Sequence, residues 1–284
     1  MENNIGSFRP SSRFFLAPMV TINDISFRLL CKKAGAGLTY TGMINPLSLE
    51  KFDLSDKPGL QLFSAFDRGI KEFIEKYESN VNLFDFNFGC PAKTAKEHGF
   101  GCFLSDLGMV KKILKTMRDA TEKPLTIKLR KSKNTLKMVR LANKYCDGIC
   151  IHPRTVEQGY GGVPDLEFAK KIKNSTSLPV IYSGNVNLKN SEELLDDFNF
   201  LMVGRTAMGN PSIFLDLCKK KSRRIIFRDY LKIALKRDLF FSQIKLQAMN
   251  FTQGLNNASK MRASLVYAKN VNEIKSIMET KEKV

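Results

Sequence analysis

The sequence predicts an α/β fold, a (β/α)8 TIM barrel followed by a C-terminal helical domain. Eight short β-branched or aromatic runs occur in order, stretches of helical spacing separate them, and the strand signal stops near Pro211. At 284 residues the chain has room for a barrel of about 200 to 250 residues and one small extra domain. The expected boundaries are residues 1–211 for the barrel and 212–284 for the helical part.

The strand runs are FFLAP from Phe14, LTYTG from Leu38, LQLFS from Leu60, LFDFNFG from Leu83, LTIKLR from Leu125, GICIHPR from Gly148, PVIYSG from Pro179 and FLMVGR from Phe200. Ile70, Phe73, Ile74 and Tyr77 make one apolar helical face between them, and Val110, Ile113, Leu114 and Met117 make another. Strand starts mostly 20 to 30 residues apart, each followed by helical pattern, suit a closed parallel barrel better than an open sheet. The longest interval, Leu83 to Leu125, leaves room for an extended loop that contains Cys90. After Pro211 there is no proline and one glycine, Gly254, as expected of successive helices.

With 43% hydrophobic and 26% charged residues, the composition excludes a disordered chain. No apolar run reaches the roughly 18 residues of a membrane span, and MENNIGSFRPSS lacks the apolar stretch of a signal peptide, so a cytoplasmic protein is expected. In that setting the six cysteines are expected to be free thiols, five of them small core hydrophobes. Without a C-x-x-C pair, and with His98 and His152 as the only histidines, no metal site is expected.

The formal net charge of +18 favours a polyanionic partner, and its distribution sharpens the point. Residues 212–284 hold 16 Lys or Arg against 6 Asp or Glu, a net +10 on a quarter of the chain. KKKSRR, Lys219 to Arg224, is the densest run, continued by Arg228, Lys232, Lys236 and Arg237 at helical spacing; it could line a phosphate backbone or be a solvated face.

Barrel enzymes draw their working groups from the C-terminal ends of the strands. Here those ends carry Pro18 and Met19, Gln61, Asn87 and Cys90, Lys128 and Arg130, His152 and Arg154, Gly184 and Asn185, and Gly204 and Arg205. The loops SGN and GRTAMGNP after strands seven and eight let backbone N–H groups approach an anion where barrels commonly bind phosphate, and Arg205 adds a charged fork. Lys128 sits in an otherwise apolar strand, where an ammonium needs an anionic partner or a lowered pKa. It could form a Schiff base, hold negative charge on a reduced flavin, or point outward. Cys90 lies among Gly and Pro, so its thiol is expected on a loop.

Together these segments resemble the tRNA-dihydrouridine synthase family, in register from about Phe14 to Phe214. The matching stretches are LAPMVTINDISFR, QLF, DFNFGCPAK, GFGCFL, IKLR, IHPRTVEQGYGG and VGRTAMGNPSIF. The resemblance implies an FMN-dependent oxidoreductase with NADPH or NADH as reductant and tRNA as substrate. It puts Pro18 and Met19 against the flavin ring, Gln61 and Lys128 in hydrogen bonds to it, His152 beside it, and Gly184, Asn185, Gly204 and Arg205 on its phosphate. It assigns Asn87, Arg130 and Tyr160 to the target uracil, and makes the helical domain, with FTQGLNNASKMR, the tRNA-binding part. A monomer is expected.

The implied chemistry is hydride delivery to uracil C6, which leaves charge that must be protonated at C5. A thiol is mostly protonated near neutrality, which gives Cys90 the role of general acid. Two departures stand out: Cys102 occupies a position where a small residue such as Ala is expected, and SGN replaces an Asn-Gly-Asp-like turn. The alternatives are an FMN barrel acting on a free pyrimidine or other small molecule, a non-catalytic RNA-binding barrel, and a Schiff-base aldolase using Lys128. The basic tail argues against the first and third, and an intact Cys90, Lys128 and phosphate loop against the second.

Overall fold

A computed structural model of the chain describes residues 3–279. Residues 1–2 of the expected barrel domain, and 280–284 of the expected helical domain, lie outside the described residues. All eight predicted strands form: β1 (Phe14–Leu16), β2 (Leu38–Thr39), β3 (Gly59–Leu62), β4 (Leu83–Phe88), β5 (Leu125–Arg130), β6 (Gly148–His152), β7 (Val180–Ser183) and β8 (Phe200–Val203). Every pairing is parallel, in the order β2-β1-β8-β7-β6-β5-β4-β3. The ring closes through isolated parallel bridges, Tyr40 with Gly59 and Ile44 with Leu62. The architecture is a (β/α)8 barrel.

Around and beyond it, among the described residues, lie twelve α-helices: α1 (Ile25–Ala34), α2 (Ile70–Tyr77), α3 (Lys93–His98), α4 (Leu107–Asp119), α5 (Thr135–Tyr145), α6 (Leu166–Asn174), α7 (Ser191–Asp197), α8 (Ile213–Leu217), α9 (Phe227–Lys236), α10 (Phe241–Phe251), α11 (Ala258–Tyr267) and α12 (Val271–Glu279). The apolar faces read from spacing are the ones buried, Ile70, Phe73 and Ile74 on α2 and Val110, Ile113, Leu114 and Met117 on α4. The expected helix after the second strand is not there. Residues 40–58 contain Pro46, Pro58 and a run of Ser and Asp that stop a helix, and Arg28 of α1 holds this loop by a buried, two-pronged ion pair to Asp56 (2.8 and 3.0 Å).

Inward-facing side chains fill the lower barrel: Phe15 stacks on Phe200 with ring centroids 4.8 Å apart, beside Leu38, Leu83, Ile181 and Met202. Ile5, fully buried on a tight turn with Phe8, joins this cluster. The upper barrel is polar, and that asymmetry gives the molecule its mouth.

The tail helices share one apolar core with the outer barrel through Phe227, Tyr230, Ile244, Phe251 and Leu265. Their polar anchor is Asp24, on the loop after β1. Its Oδ1 caps α1 by accepting from Phe27 N, and its Oδ2 accepts from Gln247 Nε2 (2.8 Å), Gln243 Nε2 (3.1 Å) and Tyr230 Oη (3.3 Å). Burial raises this carboxyl, and the hydrogen bonds it accepts, from Phe27 N first, oppose the rise.

KKKSRR is less free than its charge density suggests. Lys219 pairs with Glu192, Arg223 with Asp229 and Arg224 with Asp216. Lys33, Lys220, Lys221 and Arg223 line a cleft of about 370 Å³ whose floor includes Leu30 and Leu215, beside the C-terminal end of α1 and away from the strand ends that carry Cys90. Two of the five cysteines expected in the core also sit differently: Cys102 and Cys218 are half-buried, each donating its S–H to a carbonyl. Cys31, Cys146 and Cys150 are core residues.

Candidate active site

β4 delivers Cys90 to the mouth, and three contacts hold its backbone. Asn87 Oδ1 accepts from Gly89 N (3.0 Å) and Cys90 N (2.8 Å), while Cys90 O accepts from Cys102 N (3.3 Å) and Cys102 Sγ (3.0 Å). Gly101 lets the chains meet: it has φ of +62°, and a Cβ there would lie 2.7 Å from Cys90 O. Burial pushes the Cys102 thiol up to about 11, opposed by Arg130, so it stays protonated and its S–H faces the Cys90 carbonyl. Cys90 Sγ has no hydrogen-bond partner among the described residues and is half-buried at the rim. The residue found where the family pattern has a small side chain is therefore a clamp on the Cys90 loop.

Opposite lies a concentration of positive charge. Lys128 of β5 makes no hydrogen bond or ion pair among the described residues. His152 of β6 is pushed down to about 2, by burial first and then by Lys128, Arg130, Arg154 and Arg205. Arg154 Nη1 lies 3.0 Å from His152 Nε2; a guanidinium can only donate, so Nε2 accepts and the neutral ring carries its proton on Nδ1. The His152 ring signals are expected to stay fixed between pH 5 and 8 in an NMR titration, and movement in that range would contradict a neutral ring.

Arg130 and Arg154 are buried and spend most of their donors on the loop after β6, with one from Arg130 on Gly89 after β4 and one from Arg154 on His152. Arg130 reaches the carbonyls of Gly89, Thr155 and Gly159, and Arg154 those of Gly161 and Gly162. The loop so held carries Tyr160, which is 60% exposed and parallel to His152 at 6.1 Å, with the guanidinium carbons of Arg205 and Arg130 5.4 and 5.7 Å from its ring centre. Arg205 also donates to Asn185 Oδ1 (2.8 Å), so the loops after β7 and β8 meet through the two residues read as phosphate ligands, next to Gly184 and Gly204. Asn185 has φ of +49°, a conformation asparagine tolerates better than most residues.

Pro18 and Met19 follow β1 on the same rim, half-buried, with Met19 packed on the barrel interior. Gln61 is 1% exposed, and its amide is engaged with Asp85 and Asn87. Sequence reading passed over Asp85, Arg154's anchoring of the loop and Cys102's clamp. The signal for Asp85 was present, since it lies two residues before Asn87 on the same face of β4. Among the described residues no group of three or more His, Cys, Asp or Glu is arranged to hold a metal, and no helix is long and apolar enough to cross a membrane.

An unpartnered ammonium, a neutral imidazole and a paired Asn-Arg cradle fit an anionic cofactor with a flat ring and a phosphate, the donor set FMN requires. With a thiol presented across the mouth from that cradle, the class is a (β/α)8-barrel enzyme of the oxidoreductase type. The chain belongs to the dihydrouridine synthase family, whose model, described as Dihydrouridine synthase (Dus), matches residues 15–284.

The chain is similar to a probable tRNA-dihydrouridine synthase of Rickettsia bellii, 31% identical over 73% of this chain and 71% of that protein. A probable tRNA-dihydrouridine synthase of Aquifex aeolicus is 26% identical, covering 94% of this chain and 96% of its own. Among solved structures, the old yellow enzyme from Trypanosoma cruzi has a TM-score of 0.54 at 9% identity, over 80% of this chain and 93% of that one. A variant of NCR from Zymomonas mobilis has a TM-score of 0.57 at 9% identity over the same shares. These two likenesses concern the fold.

Proposed function

We propose that the chain is a tRNA-dihydrouridine synthase that reduces the C5=C6 bond of specific uridines in tRNA, with FMN as cofactor and NADPH or NADH as reductant. The observation that carries this reading is the clamped Cys90 thiol facing the cationic mouth. Pro18, Met19, Gln61, Lys128 and His152 would hold the flavin ring, and Gly184, Asn185, Gly204 and Arg205 its phosphate. Asn87, Arg130 and Tyr160 border the space left for uracil, Arg130 through the loop it holds. When bound and reduced, FMN would supply the hydride for C6. Cys90 Sγ holds the proton that C5 receives, and the buried arginines keep the Tyr160 loop over the site so that water is displaced.

The surface favours a polymer over a free pyrimidine. Twelve large apolar side chains are exposed among the described residues; Val20, Leu47, Leu49, Phe66, Tyr160, Val163 and Leu188 lie on loops that follow strands, and the other five belong to the tail. A uridine drawn out of a folded RNA needs such a rim to replace its lost stacking. Residues 1–211 are read as the FMN-binding catalytic domain and 212–284 as the tRNA-binding domain.

The test is a visible spectrum of the purified protein, followed by anaerobic NADPH and then unmodified tRNA. Bleaching of the flavin band with reoxidation on adding tRNA is the expected result. Reoxidation by a free pyrimidine would favour the small-molecule reading, and a colourless protein that FMN cannot reconstitute would sink the flavoenzyme reading. Lys128→Met is expected to slow the bleaching by about 10²-fold, because it removes the charge nearest the developing anion; stopped-flow absorbance measures it.

A further inference from the structure

We propose that Asp85 is a positioning residue: it sets the polarity of an amide relay through Gln61 and Asn87 that presents Cys90 to the substrate. The inference rests on Cys90 being the proton donor. The relay is continuous and buried. Asp85, 0% exposed, accepts from Thr126 Oγ1 at Oδ1 (2.6 Å) and from Gln61 Nε2 at Oδ2 (2.6 Å). Gln61 Oε1 accepts from Asn87 Nδ2 (2.8 Å), and Asn87 Oδ1 accepts from the backbone N–H groups of Gly89 and Cys90.

A carboxylate only accepts, so Gln61 can face it only with its NH2; its oxygen must then face Asn87, whose own NH2 must turn inward and whose oxygen must turn to the Cys90 loop. The loop end demands the same order, because two backbone N–H groups need an oxygen. With an apolar side chain at 85, the buried Gln61 NH2 loses its acceptor. If Gln61 then flips, two NH2 groups face each other and the anchor of the Cys90 loop is lost.

The carboxyl is itself titratable. Burial above all raises it to about 6, while hydrogen bonds from Gln61 and Thr126 and the charge of Lys128 pull it down. The titratable groups facing it are Lys128 on β5, Tyr40 after β2 and Cys150 on β6, with Cys146 sensing its charge from further out. Protonation at Oδ1 turns that oxygen into a donor to the Thr126 hydroxyl and leaves Oδ2 accepting from Gln61 Nε2, so the relay keeps its polarity on both sides of about 6.

Stability does depend on this charge. The folded value lies above the unfolded one, near 3.9, so Asp85's contribution is full below that value and is lost as the pH rises through about 6.

The experiment compares Asp85→Leu and Asp85→Asn in the full-length, FMN-loaded protein. It follows kcat and KM for tRNA against pH, thermal denaturation against pH, and alkylation of Cys90 by iodoacetamide without tRNA, read by peptide mass. Asp85→Leu is expected to lower kcat at pH 8 by about 10²-fold with little change in KM, and to change the alkylation rate of Cys90. Asp85→Asn keeps an oxygen for Gln61 and turns its NH2 to Thr126 Oγ1. It is expected to recover most of that loss and to flatten the melting profile near 6.

A folded, flavin-loaded Leu variant with unchanged kcat and unchanged Cys90 alkylation overturns the proposal. So does an Asn variant whose kcat falls by the same factor of about 10², and this arm decides alone if the Leu variant does not fold. Altered alkylation with unchanged kcat would uphold the relay and remove Cys90 from the chemistry, which separates the two readings.

Discussion

Replacing Cys90 by alanine is expected to leave FMN bound and its reduction by NADPH intact, while slowing reoxidation by tRNA by about 10²- to 10⁴-fold. The size follows from the absence of a substitute. The neighbouring thiol, Cys102, is held protonated by burial, and its S–H is directed at the Cys90 carbonyl rather than into the mouth. His152 Nδ1–H belongs to a ring held neutral by burial first and then by four surrounding cations, and giving up that proton would create an anion that burial disfavours. Single-turnover reoxidation of the prereduced variant measures the effect. Normal turnover in Cys90→Ala together with loss in Cys102→Ala would reverse the assignment of the two thiols.

The second large effect concerns the seam between barrel and tail. Gly209→Ala is expected to destabilise the protein by about 3 kcal/mol, from a left-handed backbone carrying a Cβ and from forced separation of packed chains. At Gly209, with φ of +64°, that Cβ would lie 2.0 Å from Asn250 O and 2.7 Å from Phe251 N, backbone atoms that cannot rotate away. A fall in Tm of roughly 5–10 °C should follow. Gly254→Ala is the control, since it has φ of +79° and nothing within 4 Å. The control should cost about 1 kcal/mol from strain alone. Equal shifts in the two variants would show that the approach of the Gly209 loop to α10 carries no weight.

Much of this molecule was legible in its residues. All eight strands were, because parallel barrel strands are short apolar runs and punctuation by Gly and Pro marks their ends. Phe14, Leu83 and Leu125 begin strands where expected. The missing helix in residues 40–58 shows the limit of extrapolating a repeat, since Asp56 there answers to Arg28 rather than to a helical neighbour. Asp85 was harder to read because strand alternation says which residues share a face but not which face looks inward; that depends on closure. KKKSRR shows a different limit. Its charge is local, but Glu192, Asp229 and Asp216, which offset three of the five cations, lie on other elements or at a distance along the chain.

Asp24 gives the tail a specific address. One carboxylate starts α1, and through Gln243, Gln247 and Tyr230 it also receives the helices that follow the barrel, only a few residues from Pro18 and Met19. A barrel cut off at Pro211 would lose those three donors and uncover the apolar faces of α1, so the two halves are not interchangeable modules. Grafting this tail onto another barrel would require an acid at the same N-cap position, and a tail that docks there sits beside the loop that follows β1.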